Sequence, residues 1–242
     1  MCIIDNRSIG LINANVLLPF SFKFSKGNSL SMGSIPIKLN GPSVIPEDVF
    51  DIINEVINTM KAVLGQIIPG LSVELINLEK QLMPDGKTGM TVELVSNKND
   101  KKVPLRYESD GIKKIISVLH MLIFMYNNPS MTVAIDELDS GVFEYLLGEI
   151  LKIIDESGRG QLIFTSHNFR PLEILHKQSI IFTTTNSKNR YIRLTNVKSN
   201  NNLRDFYYHD LILGGQKECI YESTNSFAIA RAFRIAGRHH ES

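Results

Sequence analysis

The sequence predicts an α/β fold in which a mixed or parallel sheet is flanked by helices. Two short, continuously apolar segments, 131–135 and 161–165, have the composition of strands buried in the middle of a domain. A segment with helical periodicity, 142–154, separates them. Apolar strands that alternate with helices are typical of parallel sheets whose two faces are both covered.

The amino-terminal half is predicted to be richer in β-structure and to contain one long helix. That helix begins at Pro46 and ends before Pro69-Gly70, and its apolar residues recur every three or four positions. Segments 71–78 and 90–95 read as the strands of a hairpin with its turn at 84–87. Segment 10–24 is β-prone, with Pro19 indicating an edge strand, and the Gly- and Ser-rich residues 26–33 are expected to form a loop.

Further elements follow in the carboxyl-terminal half. A helix is predicted over 109–126, strands near 179–183 and 191–194, and helices near 203–213 and 227–236. By motif content we divide the chain into a β-rich segment, 1–106, and a segment that carries the chemistry, 107–242.

Composition excludes several classes of protein. The chain has 242 residues, 43% of them hydrophobic, and 26 basic against 25 acidic residues give a net charge of +1. This argues against a disordered protein and shows no charge excess that would indicate a nucleic-acid, membrane or acidic partner. Two cysteines exclude a disulfide framework and favour the cytoplasm. The longest apolar run, 115–126, is too short to cross a bilayer.

The strongest chemical signal is a pair of adjacent carboxylates, Asp136 and Glu137, directly after the first apolar strand. Ligands of α/β sheets bind at this carboxyl end of the strands. In a nucleotide hydrolase the first carboxylate supports Mg²⁺ and the second orients the attacking water. The alternative is a helix cap, in which Asp139 or Ser140 simply begins the next helix. The strand and its acids alone do not decide between the two.

Two further segments add context. His167 follows the second apolar strand, so it lies beside the acids if the two strands are neighbours, where it could sense a phosphate. Ser109 and Gly111 begin a helix about 20 residues before the acids. There Ser109 could cap the helix, and Gly111 would let a phosphate approach its first N–H groups.

In this order and spacing, the motifs resemble those of ABC-type ATPases, the superfamily that includes SMC and Rad50-like proteins. Ser109-Asp-Gly111 resembles the signature motif, Asp136-Glu137 the Walker B motif with its catalytic glutamate, and Leu138-Asp139-Ser140 the D-loop. His167 is similar to the switch histidine. A bacterial group of AAA-family ATPases, related to OLD-type and phage-defence ATPases, is resembled by four further strings: Leu39-Asn-Gly41-Pro42, Asn202-Leu-Arg-Asp205, Gly214-Gly-Gln-Lys-Glu218 and Ala236-Gly237.

The resemblance implies an ATP- and Mg²⁺-dependent P-loop NTPase-like fold and a role for each matched residue. Asp136 would support Mg²⁺, Glu137 would activate water, and His167 would contact the γ-phosphate. Ser109 and Gly111 would reach the nucleotide of a second protomer, and Asp139 would line that interface. Two ATP molecules would hold two such lobes together, in a homodimer or with a partner ATPase lobe.

A Walker A loop, which should precede these motifs, is absent from the sequence. The nearest string is Gly86-Lys-Thr88, but Gln81 stands where the first glycine should be and Pro84 interrupts the loop, so we interpret it as a hairpin tip. The chain therefore resembles the carboxyl-terminal lobe of an ABC-type ATPase. A truncated gene, a split ATPase completed by another chain, and a degenerate non-catalytic module remain open.

The alternative function is a dimerisation or partner-docking module derived from such an ATPase, with association with DNA as a further option. The basic stretch that would serve DNA comprises Lys98, Lys101, Lys102 and Arg106, with Lys113 and Lys114 beyond it. We expect these side chains to be solvated. The histidines and cysteines show no metal-ligand spacing, so no zinc site is expected.

Overall fold

The computed structural model of the protein describes residues 2–4, 17–26, 29–38, 41–84, 86–193, 202–213, 218 and 224–238. These residues form two compact units, Met1–Arg170 and Pro171–Ser242. The division predicted after residue 106 falls within the first unit; it divides the chain by motif content and stays a prediction. In the described part of the chain, no helix combines the length and apolar character needed to cross a membrane.

The first unit contains an antiparallel sheet with one long helix packed against it. Strands β4 (Ser43–Pro46), β5 (Leu71–Leu82), β6 (Thr88–Lys98) and β7 (Lys101–Pro104) form the sheet, and β6 pairs with the other three. Helix α1 (Glu47–Ile67) packs on β5 and confirms the predicted helix. The core between them contains fully buried aliphatic side chains: Ile45, Ile53, Ile57, Leu64, Leu71 and Leu94. The hairpin predicted from 71–95 is confirmed.

A second hairpin precedes this sheet along the chain. Strands β2 (Leu17–Lys26) and β3 (Ser29–Lys38) pair along their whole length, and Pro19 lies in this two-stranded pair, as an edge strand allows. The prediction of a loop over 26–33 is wrong for residues 29–33. There the pairing with β2 outweighs the low strand propensity of glycine and serine.

The predicted parallel sheet is formed by three strands in the order β1 (Cys2–Ile4), β8 (Thr132–Ile135) and β9 (Gln161–Phe164). Helix α2 (Asp110–Asn127) follows a 3₁₀ turn at Leu105–Tyr107 and contacts β8, and α3 (Glu144–Ser157) connects β8 to β9. This strand–helix–strand unit confirms the predicted α/β class.

The outer strand of this sheet, β9, is less buried than the sequence predicts. Val133 and Ile135 of β8 are buried, whereas Ile163 of β9, which pairs with Ala134 on the opposite face, is 49% exposed. The prediction that the second strand is buried on both faces is therefore wrong. Among the described strands β9 pairs only with β8, and an apolar composition shows what a strand is suited to contact.

The second unit is described by itself. A five-residue helix, α4 (Arg170–Ile174), spans its start, followed by a 3₁₀ turn at Lys177–Ser179. Strands β10 (Phe182–Thr183) and β11 (Tyr191–Ile192) pair in an antiparallel manner, and helices α5 (Leu203–Leu213) and α6 (Ser226–Arg238) follow. Strands β10 and β11 and helices α5 and α6 were predicted from the sequence, whereas α4 and the 3₁₀ turn were not. The strings at 10–16, 39–40, 194 and 214–217 lie outside the described residues.

Candidate functional site

The predicted acids lie at the carboxyl edge of the parallel sheet, directly after β8. Because β8 and β9 are neighbours, the segment that follows β9 runs beside them, as the sequence predicted. Glu137 has a left-handed backbone with φ of +46°, a conformation that a non-glycine residue rarely adopts. Such strain persists only where the surroundings enforce it, and it is concentrated at functional sites.

Thr165 is the residue that enforces this turn, and sequence reasoning assigned it no role. Its hydroxyl donates to Asp136 Oδ1 at 2.5 Å and accepts from the N–H of Glu137 at 2.7 Å. Its carbonyl accepts from the N–H of Leu138 at 3.0 Å. Thr165 thus ties the end of β9 to three successive residues after β8. Its position directly after a strand is the only local signal for this role.

His167 and the acids come together as predicted. The His167 side chain is 84% exposed, and its Nε2 lies 3.8 Å from Glu137 Oε1, close enough for an ion pair when the imidazole is protonated. The main-chain N–H of His167 donates to Asp139 Oδ2 at 3.1 Å. The structure therefore fixes the His167 backbone through Asp139 and leaves its imidazole open to solvent beside Glu137.

The beginning of α2 packs against the turn that follows Asp139. The Ser109 hydroxyl accepts from the N–H of Ile112 at 3.4 Å, so Ser109 is the predicted cap. Gly111 is buried beneath Gly141, which has φ of +73°. A Cβ at Gly111 would lie 2.0 Å from the Gly141 carbonyl oxygen. In this structure the missing side chain accommodates that carbonyl, whereas the sequence suggested open space for a phosphate.

Lys114 is the second residue whose place was not foreseen. The prediction that it is solvated is wrong: its side chain is 3% exposed, and its Nζ donates to the carbonyl of Asp136 at 3.4 Å. Burial lowers the pKa of Lys114, while the negative charges of Glu137, Asp136 and Asp139 act in the opposite direction. Helical periodicity could have found it, since Lys114 continues the buried stripe of Val118, Met121 and Met125.

The residues present suit Mg²⁺ that is bound together with phosphates. Asp136 offers an exposed carboxylate beside a threonine hydroxyl, and hard oxygen ligands are those Mg²⁺ prefers. Asp139 Oδ1 is fully buried and accepts no hydrogen bond from the described residues. Within the described ranges, no three His, Cys, Asp or Glu side chains converge as they would around a metal ion. One carboxylate completed by waters and phosphates is the usual Mg²⁺ arrangement in such sites.

The two other candidate clusters do not contribute to this site. Gly86 has φ of +80° in the turn between β5 and β6, where the N–H of Met83 donates to the Lys87 carbonyl; the Gly-Lys-Thr string is a hairpin tip, as predicted. In the basic stretch, Lys102 pairs with Glu74 at 2.7 Å and Arg106 with Glu93 at 2.8 Å. These pairs neutralise part of the charge that DNA would require.

Several solved structures are similar to this chain. A structure titled as the ATP-driven dimerisation and DNA-stimulated activation of SMC ATPases is 17% identical, with a TM-score of 0.49, over 70% of this chain and 98% of its own. An SMC head bound to the C-terminal winged-helix domain of ScpA is 17% identical, with a TM-score of 0.40, over 51% of this chain and 38% of its own. A Pyrococcus yayanosii Smc head with a coiled coil and joint is 18% identical, with a TM-score of 0.45, over 62% of this chain and 28% of its own.

The chain thus spans well under two thirds of two of these three proteins. None of the curated proteins compared with the chain matches it. One family model does match, over residues 14–173, about two thirds of the chain and the whole of the site described above. The chain therefore belongs to the AAA-type, nucleotide-binding ATPase family described as "AAA domain, putative AbiEii toxin, Type IV TA system".

Proposed function

We propose that this chain supplies the hydrolytic half of an ATPase site that converts ATP and water to ADP and phosphate. The observation that carries the proposal is the arrangement of Asp136, Glu137, Asp139 and His167 at one sheet edge. Asp136 would hold Mg²⁺, which neutralises charge on the phosphates when bound. Glu137 would accept the proton of the attacking water, and the exposed imidazole of His167 would donate to the γ-phosphate.

The same proposal assigns the phosphate cradle to residues beyond this sequence. No Walker A loop occurs among the 242 residues, and the Gly-Lys-Thr string is a hairpin tip. The exposed Ile163 on the edge strand β9 supports a further segment that packs there, since parallel strands are normally covered on both faces. An upstream segment and a partner chain would serve equally well.

We further propose that ATP joins two such lobes. Ser109 would face the nucleotide of the second protomer, Asp139 would lie at the interface, and Gly111, which is buried against Gly141, would hold the helix end beside them. Ser109 is exposed at the start of α2, and the contact of Gly111 with Gly141 joins this helix end to the turn after Asp139. A nucleotide bound across the interface would therefore contact a helix N-terminus, which favours phosphate.

The test is Glu137→Gln in the complete ATPase that contains this chain. Replacing the general base should lower kcat about 100-fold or more and leave MgATP binding intact, because the amide keeps its size and loses its basicity. Light scattering should then show an ATP-bound dimer that persists. Glu156→Gln, an exposed glutamate at the end of α3, is the matched control and should hydrolyse ATP normally. Unchanged turnover in Glu137→Gln would refute the assignment.

The second candidate function is a dimerisation or docking module that binds no nucleotide. The absent Walker A favours it. Calorimetry of the isolated chain with MgATP tests it, and micromolar affinity would reject this candidate.

A defence role is proposed from the family description, which names a putative toxin of a type IV toxin–antitoxin system. Phage plaque counts in cells that carry the complete system, with wild type and Glu137→Gln compared, test it. Equal counts for both and for cells without the system would contradict a defence role.

A further inference from the structure

Lys114 stands apart from the other charged residues of the protein. Among the residues whose side chains are described, it is the only charged one in the buried class, at 3% exposed. Burying an ammonium group is strongly unfavourable unless opposite charges and acceptors surround it. Burial of the ammonium group lowers the pKa of Lys114, whereas the charges of the Glu137, Asp136 and Asp139 carboxylates act in the opposite direction and favour its charged form. A buried amino group beside these acids requires an explanation beyond packing.

The hydrogen bond of Lys114 shows what the cation does. Its Nζ donates to the carbonyl of Asp136, which belongs to the peptide unit that joins Asp136 to Glu137. The N–H of that same peptide unit donates to the Thr165 hydroxyl. One peptide is therefore held at its oxygen by helix α2 and at its nitrogen by the end of β9. Rotation of this peptide would change the φ of Glu137 directly.

Glu137 needs such a clamp because its backbone is left-handed, with φ of +46°. A non-glycine residue leaves this region when its restraints are removed. The restraint from Lys114 comes from the helix whose first turn carries Ser109 and Gly111. The orientation of that helix is thus linked through one side chain to the orientation of Glu137.

Lys114 also offsets the mutual repulsion of the acids. Three carboxylates lie within four residues of sequence, and Asp139 Oδ1 is buried with no hydrogen bond from the described residues. Like charges at close range disfavour a compact loop unless a cation lies between them. The exposed His167, whose Nε2 lies 3.8 Å from Glu137 Oε1, flanks the same cluster from the solvent side.

We propose that Lys114 is a positioning residue of the ATPase site: it clamps the Asp136–Glu137 peptide and holds the three acids together, so that the signature helix and the hydrolytic glutamate form one unit. This inference rests on the proposed function for its catalytic consequence. Its structural part, the clamp, stands on the contacts of this chain alone.

The first experiment measures amide hydrogen exchange in the 242-residue chain, which requires no nucleotide. In Lys114→Met, the amides of Glu137 and Leu138 should exchange about tenfold faster than in wild type, because one side of the clamp is gone. Lys113→Met is the matched control, since Lys113 is the neighbouring residue on α2 and pairs instead with Asp110 at 2.9 Å. It should leave both amides protected.

Lys114→Gln is measured beside Lys114→Met, so that a folding failure of one variant leaves the other to decide. Both variants remove the charge, and both should show faster exchange at Glu137 and Leu138. Wild-type protection in either folded variant overturns the clamp. Faster exchange in Lys113→Met of equal size also overturns it, because the effect would then belong to the helix as a whole.

The second experiment measures kinetics in the complete ATPase. Lys114→Met should lower kcat about tenfold or more while KM for MgATP changes less than about twofold, because Lys114 acts through Glu137 and contacts no nucleotide. Lys114→Arg, which keeps the charge, should restore part of kcat. A raised KM with unchanged kcat overturns the positioning role. If the wild-type ATPase does not hydrolyse ATP, the proposed function fails, and the exchange experiment still decides the clamp.

Discussion

Gly111→Ala tests the close contact between the start of α2 and the turn at Gly141. An added Cβ would lie 2.0 Å from the Gly141 carbonyl oxygen, whereas ordinary contact for a Cβ begins at 3.4 Å. The obstacle is backbone, so no side-chain rotation can relieve it. Gly141 itself has φ of +73°, a conformation that glycine adopts without strain.

Two effects of opposite sign determine the result. Alanine is favoured over glycine within a helix by about 0.5–1 kcal/mol. Forcing a methyl group into occupied space typically costs about 1–3 kcal/mol. Because the overlap to be relieved is more than 1 Å deep and lies against backbone, we expect the second effect to prevail, with a net loss of about 1–2 kcal/mol in the free energy of unfolding.

Urea unfolding followed by circular dichroism measures this difference, and Gly65→Ala is the matched control. Gly65 also lies in a helix, α1, but its added Cβ would meet only the Leu71 carbonyl at 3.8 Å. The control should therefore gain about 0.5–1 kcal/mol from helix propensity alone. If Gly111→Ala is as stabilising as Gly65→Ala, the close contact between the start of α2 and the turn at Gly141 is refuted.

Two further predictions concern hydrogen bonds and ion pairs. Thr165→Val removes the hydroxyl that joins Asp136 to the N–H of Glu137, and it should lower the free energy of unfolding by about 0.5–1.5 kcal/mol in chemical denaturation. Thr165→Ser keeps the hydroxyl and should stay near wild type. Equal losses in both variants would contradict the role of the hydroxyl. The hydrogen bond from Lys102 lowers the pKa of Glu74 below its usual value of 4.5. Because the folded state then binds the proton less readily than the unfolded state, this contribution is complete above pH 4.5 and is lost as the pH falls through the lowered pKa. Glu74→Gln should therefore be less stable than wild type by about 0.5–1 kcal/mol at pH 7, and this difference should shrink as the pH falls through the lowered pKa, with Glu149→Gln as the control; a difference that does not change with pH would contradict this reasoning.

Periodicity and turn residues predicted most of the fold. Helix α1, the hairpin of β5 and β6, and the strand–helix–strand unit around β8 all follow from hydrophobic periodicity and turn residues that are local in the sequence. The loop predicted over residues 29–33 was wrong because the strand there depends on pairing with β2, and local propensity does not register a pairing partner. The prediction that β9 is buried on both faces was wrong for a related reason, because an apolar composition shows what a strand is suited to contact and not which segments lie against it.

The candidate site divides in the same way. Asp136, Glu137, Asp139 and His167 could be named from sequence because they follow strands, and parallel neighbours bring such positions to one edge. Thr165 has only its position after a strand as a local signal and Gly141 has none, because the role of each depends on a contact with a residue about 30 positions away. The helical periodicity of Lys114 with Val118, Met121 and Met125 indicated burial, but a charged side chain is normally expected to be exposed.

The sequence by itself determined the kind of chemistry, because carboxylates, a histidine and a capped helix N-terminus keep their chemical nature in any packing. Only the tertiary structure decided how these groups are held: the left-handed turn at Glu137, the peptide gripped by Lys114 and Thr165, and the glycine contact at Gly111. Each of these depends on distances between segments that are far apart along the chain. Such distances are set when separate apolar surfaces pack together, and no local pattern of residues encodes them.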